Sequence, residues 1–379
     1  MPVTTLRLDI PPSPRGTVAI RIGEDLSRAI SSDLSRHWRG RPLAIISDST
    51  LARSFGSSLQ RLLRGRGAPV RVIPLRAGET CKTREVKAAI EDRLLGARYG
   101  PDAVLLAVGG GSILDLAGFV AATFARGVPW IAVPTTLLAM VDASVGGKVG
   151  VNHPCGKNLI GAFHHPKAVY ADLRFLRTLP EREYIRGLAE VVKMAAGLSE
   201  GLFRFLERRV PDILRHRPAV LRRLIAESVS LKARTVSRDE RESGYRHVLN
   251  FGHTIGHAIE SASGYRIAHG EAVAIGMVVE SGIALRAGRF SAPQADRLRE
   301  LLARLGLPVT PPAIDPRRVL QFTRSDKKAR GGSVRYALPA RIGRMDRASG
   351  WSRPIPDRVV LQAWRAARGV GREPPDPEP

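Results

Sequence analysis

The first half of the chain alternates short, almost uniformly apolar runs with stretches of helical period. PLAIISD (42–48), VRVIPL (70–75), AVLLAVGGGS (103–112) and PWIAVPTT (129–136) read as buried strands bounded by polar residues or glycines. Between the second and third, REVKAAIEDRLLGARYG (84–100) reads as a helix, and another is expected behind the glycines that end the third strand. Strands separated by helices predict a mostly parallel, Rossmann-like sheet covered on both faces. Beyond about residue 175 the pattern turns helical in EREYIRGLAEVVKMAAG (181–197), AVLRRLIAESVSLKARTVSRDE (219–240), LNFGHTIGHAIESAS (249–263) and HGEAVAIGMVVESGIALRAG (269–288). The boundary is expected near 172–178, with an α/β domain over 1–175 and an all-helical domain over 176–365. The end, GREPPDPEP, is rich in proline and acid, so residues 366–379 are expected to be a disordered tail. No internal repeat is visible.

Composition narrows the class. A chain of 379 residues can bury two cores, and 44% hydrophobic with 25% charged residues is a soluble globular balance. No run approaches the roughly 18 apolar residues of a membrane span. The N-terminal MPVTTLRLDIPPSPRG lacks an apolar signal core, and two cysteines give no disulfide framework, so the cytoplasm is expected. The net charge of +25 invites a nucleic-acid reading. The arginines are spread along the chain, however, and aromatics are only 5%, which leaves few stacking platforms. An arginine-rich background with an anionic small-molecule substrate fits better, with neither nucleic acid nor membrane as partner. Of 60 basic residues only nine are lysine, and seven of those reappear among the candidate residues below, where a compact ammonium is needed. Lys87 and Lys167 are the two without such a place.

VGGGSILDLAG (108–118) follows a strand and opens a helix, where backbone N–H groups and the helix N-terminus favour a phosphate. It is not G-x-G-x-x-G, and a tight ligand-free turn is the competing reading. Asp48 ends the first clear strand, a position from which an acid can bond a ribose hydroxyl. VPTTLLAMVDASVGGKVGVNHPCGKNLIGAFHHP (133–166) gathers Thr135, Thr136, Asp142, Lys148, Asn152, Lys157 and Asn158 among glycines with little periodicity, as a surface loop or a site does. LAEVVKM puts Glu190 and Lys193 three apart on one helix face, and its apolar flanks argue against a surface ion pair. LKARTVSRDERESGYRHVLNFGH adds Lys232, Arg246 and Asn250. In HTIGH, His253 and His257 stand one helical turn apart, roughly 6 Å of rise, without the glutamate base of the metalloprotease motif. His269 lies in IAHGEAVAIGM. Catalytic zinc sites commonly use three nitrogen or carboxylate ligands. Glu190, His253 and His269 would form such a set, although spacing alone does not choose His253 over His257.

Taken in order, these strings resemble one family. GGGSILDLAG, VPTTLLAMVDASVGGKVGVNHPCGKNLIGAF, LRTLPEREY, AEVVK, DERESGYRHVLNFGHTIGHAIE, HGEAVAIGM and SDKK have the order and spacing of the 3-dehydroquinate synthases, over roughly residues 40 to 345. The resemblance implies a dehydroquinate synthase-like fold and a shikimate-pathway enzyme, usually a homodimer, that binds NAD and one divalent metal, usually zinc, with cobalt as an alternative. Its substrate is a small anionic sugar-phosphate acid, 3-deoxy-D-arabino-heptulosonate 7-phosphate, converted to 3-dehydroquinate and phosphate. It implies Glu190, His253 and His269 as metal ligands and His257 as a substrate-phosphate contact. Lys148, Asn158, Lys193, Arg246, Asn250 and one of Lys327 and Lys328 become further substrate positions. Lys232 holds the substrate carboxylate, Arg126 reaches the phosphate from the partner subunit, and Asp142 serves both cofactor and substrate. For NAD the resemblance implies Asp48, Glu79, Lys82, Gly110, Gly111, Ser112, Asp115, Thr135, Thr136, Lys148, Lys157, Phe175 and Thr178.

The chain departs from the family at GGGSILD, where Ser112 and Leu114 replace the commoner GGGVIGD, and at FHHP. The serine variant is similar to metal-dependent alcohol dehydrogenases of the same fold, which use an aspartate and histidines at the metal and lack this lysine set. Cys81 and Cys155 are read as small space-filling side chains. The nearest rival is a related sugar-phosphate cyclase of the inosose or valiolone type. Against it, a neutral sugar would leave Lys232 with no anion to pair.

Overall fold

The computed structural model describes residues 17–65, 67–325, 334–347 and 350–369. Lys327, Lys328 and residues 370–379 of the expected tail lie outside the described residues. Eight strands precede the helix-rich part: β1 (Ala19–Gly23), β2 (Leu43–Asp48), β3 (Val70–Leu75), β4 (Val104–Gly109), β5 (Trp130–Pro134), β6 (Lys148–His153), β7 (Gly156–Phe163) and β8 (Ala168–Asp172). All but β6 and β7 form one parallel sheet in the order β1-β8-β5-β4-β2-β3. The central runs are continuously apolar because alternate residues serve opposite faces. Ala44, Ile46, Leu105 and Ala107 join one core, whereas Leu43, Ile45, Leu106 and Val108 join the other. The first face is covered by α4 (Arg84–Gly96) and α5 (Gly111–Thr123), and the second by α1 (Ser27–His37) and α3 (Ser57–Leu62), the latter reached from β2 through the single turn α2 (Ser49–Leu51). The order reverses between β2 and β4, so Asp48 and Gly109 end adjacent strands at the switch point where such sheets bind ligands.

The segment 133–166, expected to be irregular, contains a turn of π-helix (Ala139–Ala143) and the antiparallel hairpin β6–β7. Glycines and lysines interrupt the alternation that would have shown the hairpin. Val149 and Val151 are nevertheless buried against α5.

The remainder is built from α6 (Glu181–Leu198), α7 (Glu200–Leu214), α8 (Pro218–Arg238), α9 (His253–Ala262), α10 (His269–Arg286), α11 (Ala292–Arg304), α12 (Pro316–Ser325) and α13 (Asp357–Ala367). It is helix-rich and not all-helical. β9 (Arg335–Tyr336) pairs with β12 (Arg353–Pro354), and β10 (Pro339–Arg341) with β11 (Arg344–Met345), in ladders too short to show a period. α13 also carries helix two residues into the expected tail.

One close crossing matters for the site. Gly252, at φ 78°, precedes α9, and a Cβ there would lie 2.6 Å from Met277 Cγ. On α10 a Cβ at Gly276 would lie 2.0 Å from the Gly252 carbonyl oxygen. The fully buried Glu280 carboxylate accepts from the N–H groups of Gly252 (2.7 Å) and Ile255 (3.0 Å), capping α9 where His253 begins it. Among the described residues no helix is long and apolar enough to cross a membrane.

Candidate active site

Glu190 and Lys193 face inward on the buried side of α6 and are only 1% and 4% exposed, so the surface ion pair is ruled out. The first turns of α9 and α10 bring His253 and His269 to the same carboxylate, with their Nε2 atoms 3.4 and 3.3 Å from Glu190 Oε1. Donor atoms of the three residues lie within 4.8 Å of one another. Neither Glu190 oxygen has a hydrogen bond of good geometry; Lys193 contacts Oε2, and Oε1, facing both imidazoles, is the oxygen open to a metal ion. His253 Nδ1 lies 3.2 Å from the Phe251 carbonyl and His269 Nδ1 2.7 Å from Glu260 Oε1. Donation from each Nδ1 leaves the Nε2 lone pair facing Glu190, the tautomer a metal requires. Burial would raise the Glu190 carboxyl, but Lys193 and His253 hold it well below the usual range. Burial, helped by Lys193, pushes His253 down to about 3, whereas the Glu190 and Glu260 carboxylates beside it overcome burial and push His269 up to about 10. The His257 ring packs 5.3 Å from that of His253 and 5.8 Å from that of His269, outside the trio but against it.

Beside the trio stands a lattice of paired charge in which Lys193 and Lys232 are buried and Lys148 is exposed. Lys193 pairs with Glu190 and lies 3.9 Å from Asp142 Oδ1. Lys232, on α8, lies 2.7 Å from the same Asp142 oxygen and donates to the Asp142 carbonyl. Asp142 sits on the π-helical turn that faces α8. Burial opposes its ionisation, but Lys232 and Lys193 hold its carboxyl low. Lys148 at the start of β6 pairs with Glu242, which also accepts from Asn250 Nδ2 at 3.0 Å. Arg246 is buried and donates to the carbonyls of Glu240 (2.6 Å) and Gly146 (3.4 Å).

A second network meets the β4–α5 turn. Lys82 lies 2.5 Å from Asp115 Oδ2 and also donates to Asn158 on β7, while Glu79 accepts from Ser112 and from Asn152 Nδ2 (2.7 Å). Gly110 caps α5, and a Cβ there would come within 3.2 Å of the Thr136 methyl, which places Thr135 and Thr136 beside the turn. Asp48 uses one oxygen to cap the turn that follows β2, accepting from the N–H groups of Thr50 and Leu51. Phe175 stacks edge-on against Phe55, and Thr178 Oγ1 donates to the Phe175 carbonyl. Lys157 reaches from β7 to Glu260 on α9 (3.1 Å). Arg126 is set apart. It is exposed beyond the far end of α5 from Gly111, roughly 20 Å along the helix, on a turn with Ala125 and Arg126 at φ 47° and 66°.

The structure adds Glu242 and Glu260, neither of which was singled out in the sequence. Glu260 was the more readable, seven residues after His253 and hence on the same face of α9. Glu242 is hidden in the charged string DERES. Cys81 is buried and space-filling as expected, but Cys155 is exposed at the β6–β7 turn, where nothing requires filling. Lys232 does not lack an anion, because Asp142 already pairs with it.

The geometry agrees with comparisons to known proteins. Profiles of the 3-dehydroquinate synthase N-terminal and C-terminal regions match residues 72–186 and 187–329. The 3-dehydroquinate synthase of Acidithiobacillus ferrooxidans is 48% identical over 303 residues, 80% of this chain and 83% of that protein. A solved 2-deoxy-scyllo-inosose synthase, complexed with carbaglucose-6-phosphate, NAD+ and Co2+, superposes with TM-score 0.83 at 29% identity, covering 92% of this chain and 96% of that one. The 2-epi-5-epi-valiolone synthase of Streptomyces hygroscopicus, with NAD+ and Zn2+ bound, gives 0.84 at 26%, covering 98% and 100%. With both halves matched and near-half identity over four fifths of its length, the chain belongs to the 3-dehydroquinate synthase family.

Proposed function

We propose that this chain converts 3-deoxy-D-arabino-heptulosonate 7-phosphate to 3-dehydroquinate and phosphate, using NAD and one divalent metal ion, zinc first and cobalt as the alternative. The observation that carries the reading is the buried Glu190 carboxylate, paired with Lys193 through Oε2 and facing the Nε2 atoms of His253 and His269 through Oε1, with buried Lys232 alongside. Glu190, His253 and His269 would hold the metal, which lowers the pKa of a substrate hydroxyl when bound. Bound NAD would supply a hydride acceptor that gives back what it takes, so the net reaction would be redox-neutral. On this reading residues 1–175 serve the cofactor and lend Arg126, Asp142, Lys148 and Asn158 to the substrate, and 176–365 serve the metal and substrate.

The chain's own residues supply binding and orientation. Lys232 holds the substrate carboxylate, exchanging Asp142 for it. Lys148, Asn158, Lys193, Arg246, Asn250, His257 and a lysine of the Lys327–Lys328 pair grip the phosphate and hydroxyls, and Arg126 joins from the partner subunit of a homodimer. Fixing both anionic ends aligns the C–H next to the new ketone with the leaving phosphate, which acts as its own base. Such orientation is worth roughly several kcal/mol of barrier. The glycine turn, with Glu79, Lys82, Ser112 and Asp115, cradles the cofactor.

A related cyclase acting on a neutral sugar is the second reading, and Lys232 does not discriminate against it, since Asp142 satisfies that ammonium. The higher identity to the dehydroquinate synthases favours the carboxylated substrate. The deciding experiment measures phosphate release from the heptulosonate phosphate by the purified chain, with and without NAD and a chelator. Release should require both cofactor and metal and leave no lasting nicotinamide absorbance. Stoichiometric NADH accumulation, or release indifferent to the chelator, would overturn the reading.

A further inference from the structure

Glu260 is the only acid on α9 and is nearly fully buried. Both of its oxygens are engaged: Oε1 lies 2.7 Å from His269 Nδ1, and Oε2 lies 3.1 Å from Lys157 Nζ. The Lys157 ammonium also sits 4.4 Å above the Tyr265 ring, which limits its freedom. The next residue on β7, Asn158, accepts from Lys82 in the network at the β4–α5 turn. Asn158 leaves the extended strand conformation (φ 56°), and its partner differs from those of Lys157. One dipeptide of the hairpin therefore ties the metal trio on one side to the glycine turn on the other.

We propose that Glu260 is the positioning residue for His269 and that Lys157 sets it, so that the hairpin β6–β7 and the metal centre move as one unit. The inference rests on the reading of Glu190, His253 and His269 as ligands. A carboxylate held at both oxygens cannot swing away from the imidazole, and the bond to Nδ1 fixes both the ring plane and the tautomer that leaves Nε2 free to ligate.

The test is metal affinity, measured on the full chain without substrate by competition between Co2+ and a chromogenic chelator, together with the visible spectrum of the bound Co2+. Glu260→Gln should weaken binding about 10- to 100-fold and alter the spectrum. Lys157→Met, made at the more exposed end of the relay, should weaken binding by a smaller factor. The double variant should bind no more weakly than Glu260→Gln alone, because both changes act through one carboxylate. Fully additive losses would overturn the relay. Unchanged affinity in Glu260→Gln, with metal lost in His269→Ala, would overturn the role of Glu260 and leave the ligand set standing. Metal retained by His269→Ala would overturn the ligand reading and this inference with it.

Discussion

Every described lysine of the candidate site is matched by a carboxylate: Lys82 by Asp115, Lys148 by Glu242, Lys157 by Glu260, Lys193 by Glu190 and Lys232 by Asp142. A substrate anion must therefore displace an internal one, and affinity depends on how readily each pair opens. Lys232→Met should raise KM for the sugar-phosphate acid at least about tenfold, ~1.4 kcal/mol, while NAD affinity in a binding titration changes far less. The reverse ranking would place Lys232 with the cofactor. Glu242 bears on acid stability. Burial opposes its charge, but Lys148 and Asn250 hold the carboxyl at about 2, below its ordinary 4.5. The folded-state pKa is depressed, so this stabilisation is complete above about pH 5 and disappears as pH falls toward 2. Urea midpoints measured across that range should fall less steeply for Glu242→Gln than for the unaltered chain.

At the scale of elements, long apolar runs and long helical periods were legible, and short or glycine-interrupted elements were not. The four strands read from the sequence are all present: burial on both faces leaves an unbroken apolar run in β2, β4 and β5, and β3, at the sheet edge, keeps enough apolar positions to be read. β1, an edge strand, and β8, a five-residue strand just ahead of the helical pattern, gave no comparable signal. Glu190, His253 and His269 were legible as residue types that could hold a metal, and their donor atoms lie within 4.8 Å of one another. The choice of His253 over His257 was not, since both lie on one face of α9 and only the approach of α6 separates them. That approach depends on the α9–α10 crossing. Gly276→Ala would drive a methyl to within 2.0 Å of the Gly252 carbonyl and push α9, with His253, off α10. The expected cost is about 3 kcal/mol, at the upper end for overpacking, and would be read from denaturant midpoints together with weaker Co2+ binding. Gly282→Ala is the control on the same helix, where a Cβ meets Ala363 Cβ at 3.5 Å. It should be tolerated, and a gain of up to about 1 kcal/mol is available from helix propensity.

Over the whole molecule, the internal pairing of site lysines gives the net charge of +25 a task that no local contact performs. If each pocket lysine is nearly neutralised, long-range attraction for an anionic substrate must come from the surface arginines, whose fields add at distance even where none touches the ligand. That field is screened beyond about 10 Å at 0.1 M salt, whereas buried pairs such as Lys232–Asp142 are screened much less. The two contributions therefore separate by ionic strength. Raising KCl from about 0.05 to about 0.5 M should lower kcat/KM for the heptulosonate phosphate several-fold and leave kcat nearly unchanged, because the bound complex no longer depends on the distant field. Steady-state kinetics over that range check it. A kcat that fell in parallel with kcat/KM would mean that salt opens the internal pairs themselves. A flat kcat/KM would mean that the arginines contribute nothing to capture. Salt-sensitive retention on DNA near physiological ionic strength would assign the same charge to a polynucleotide instead.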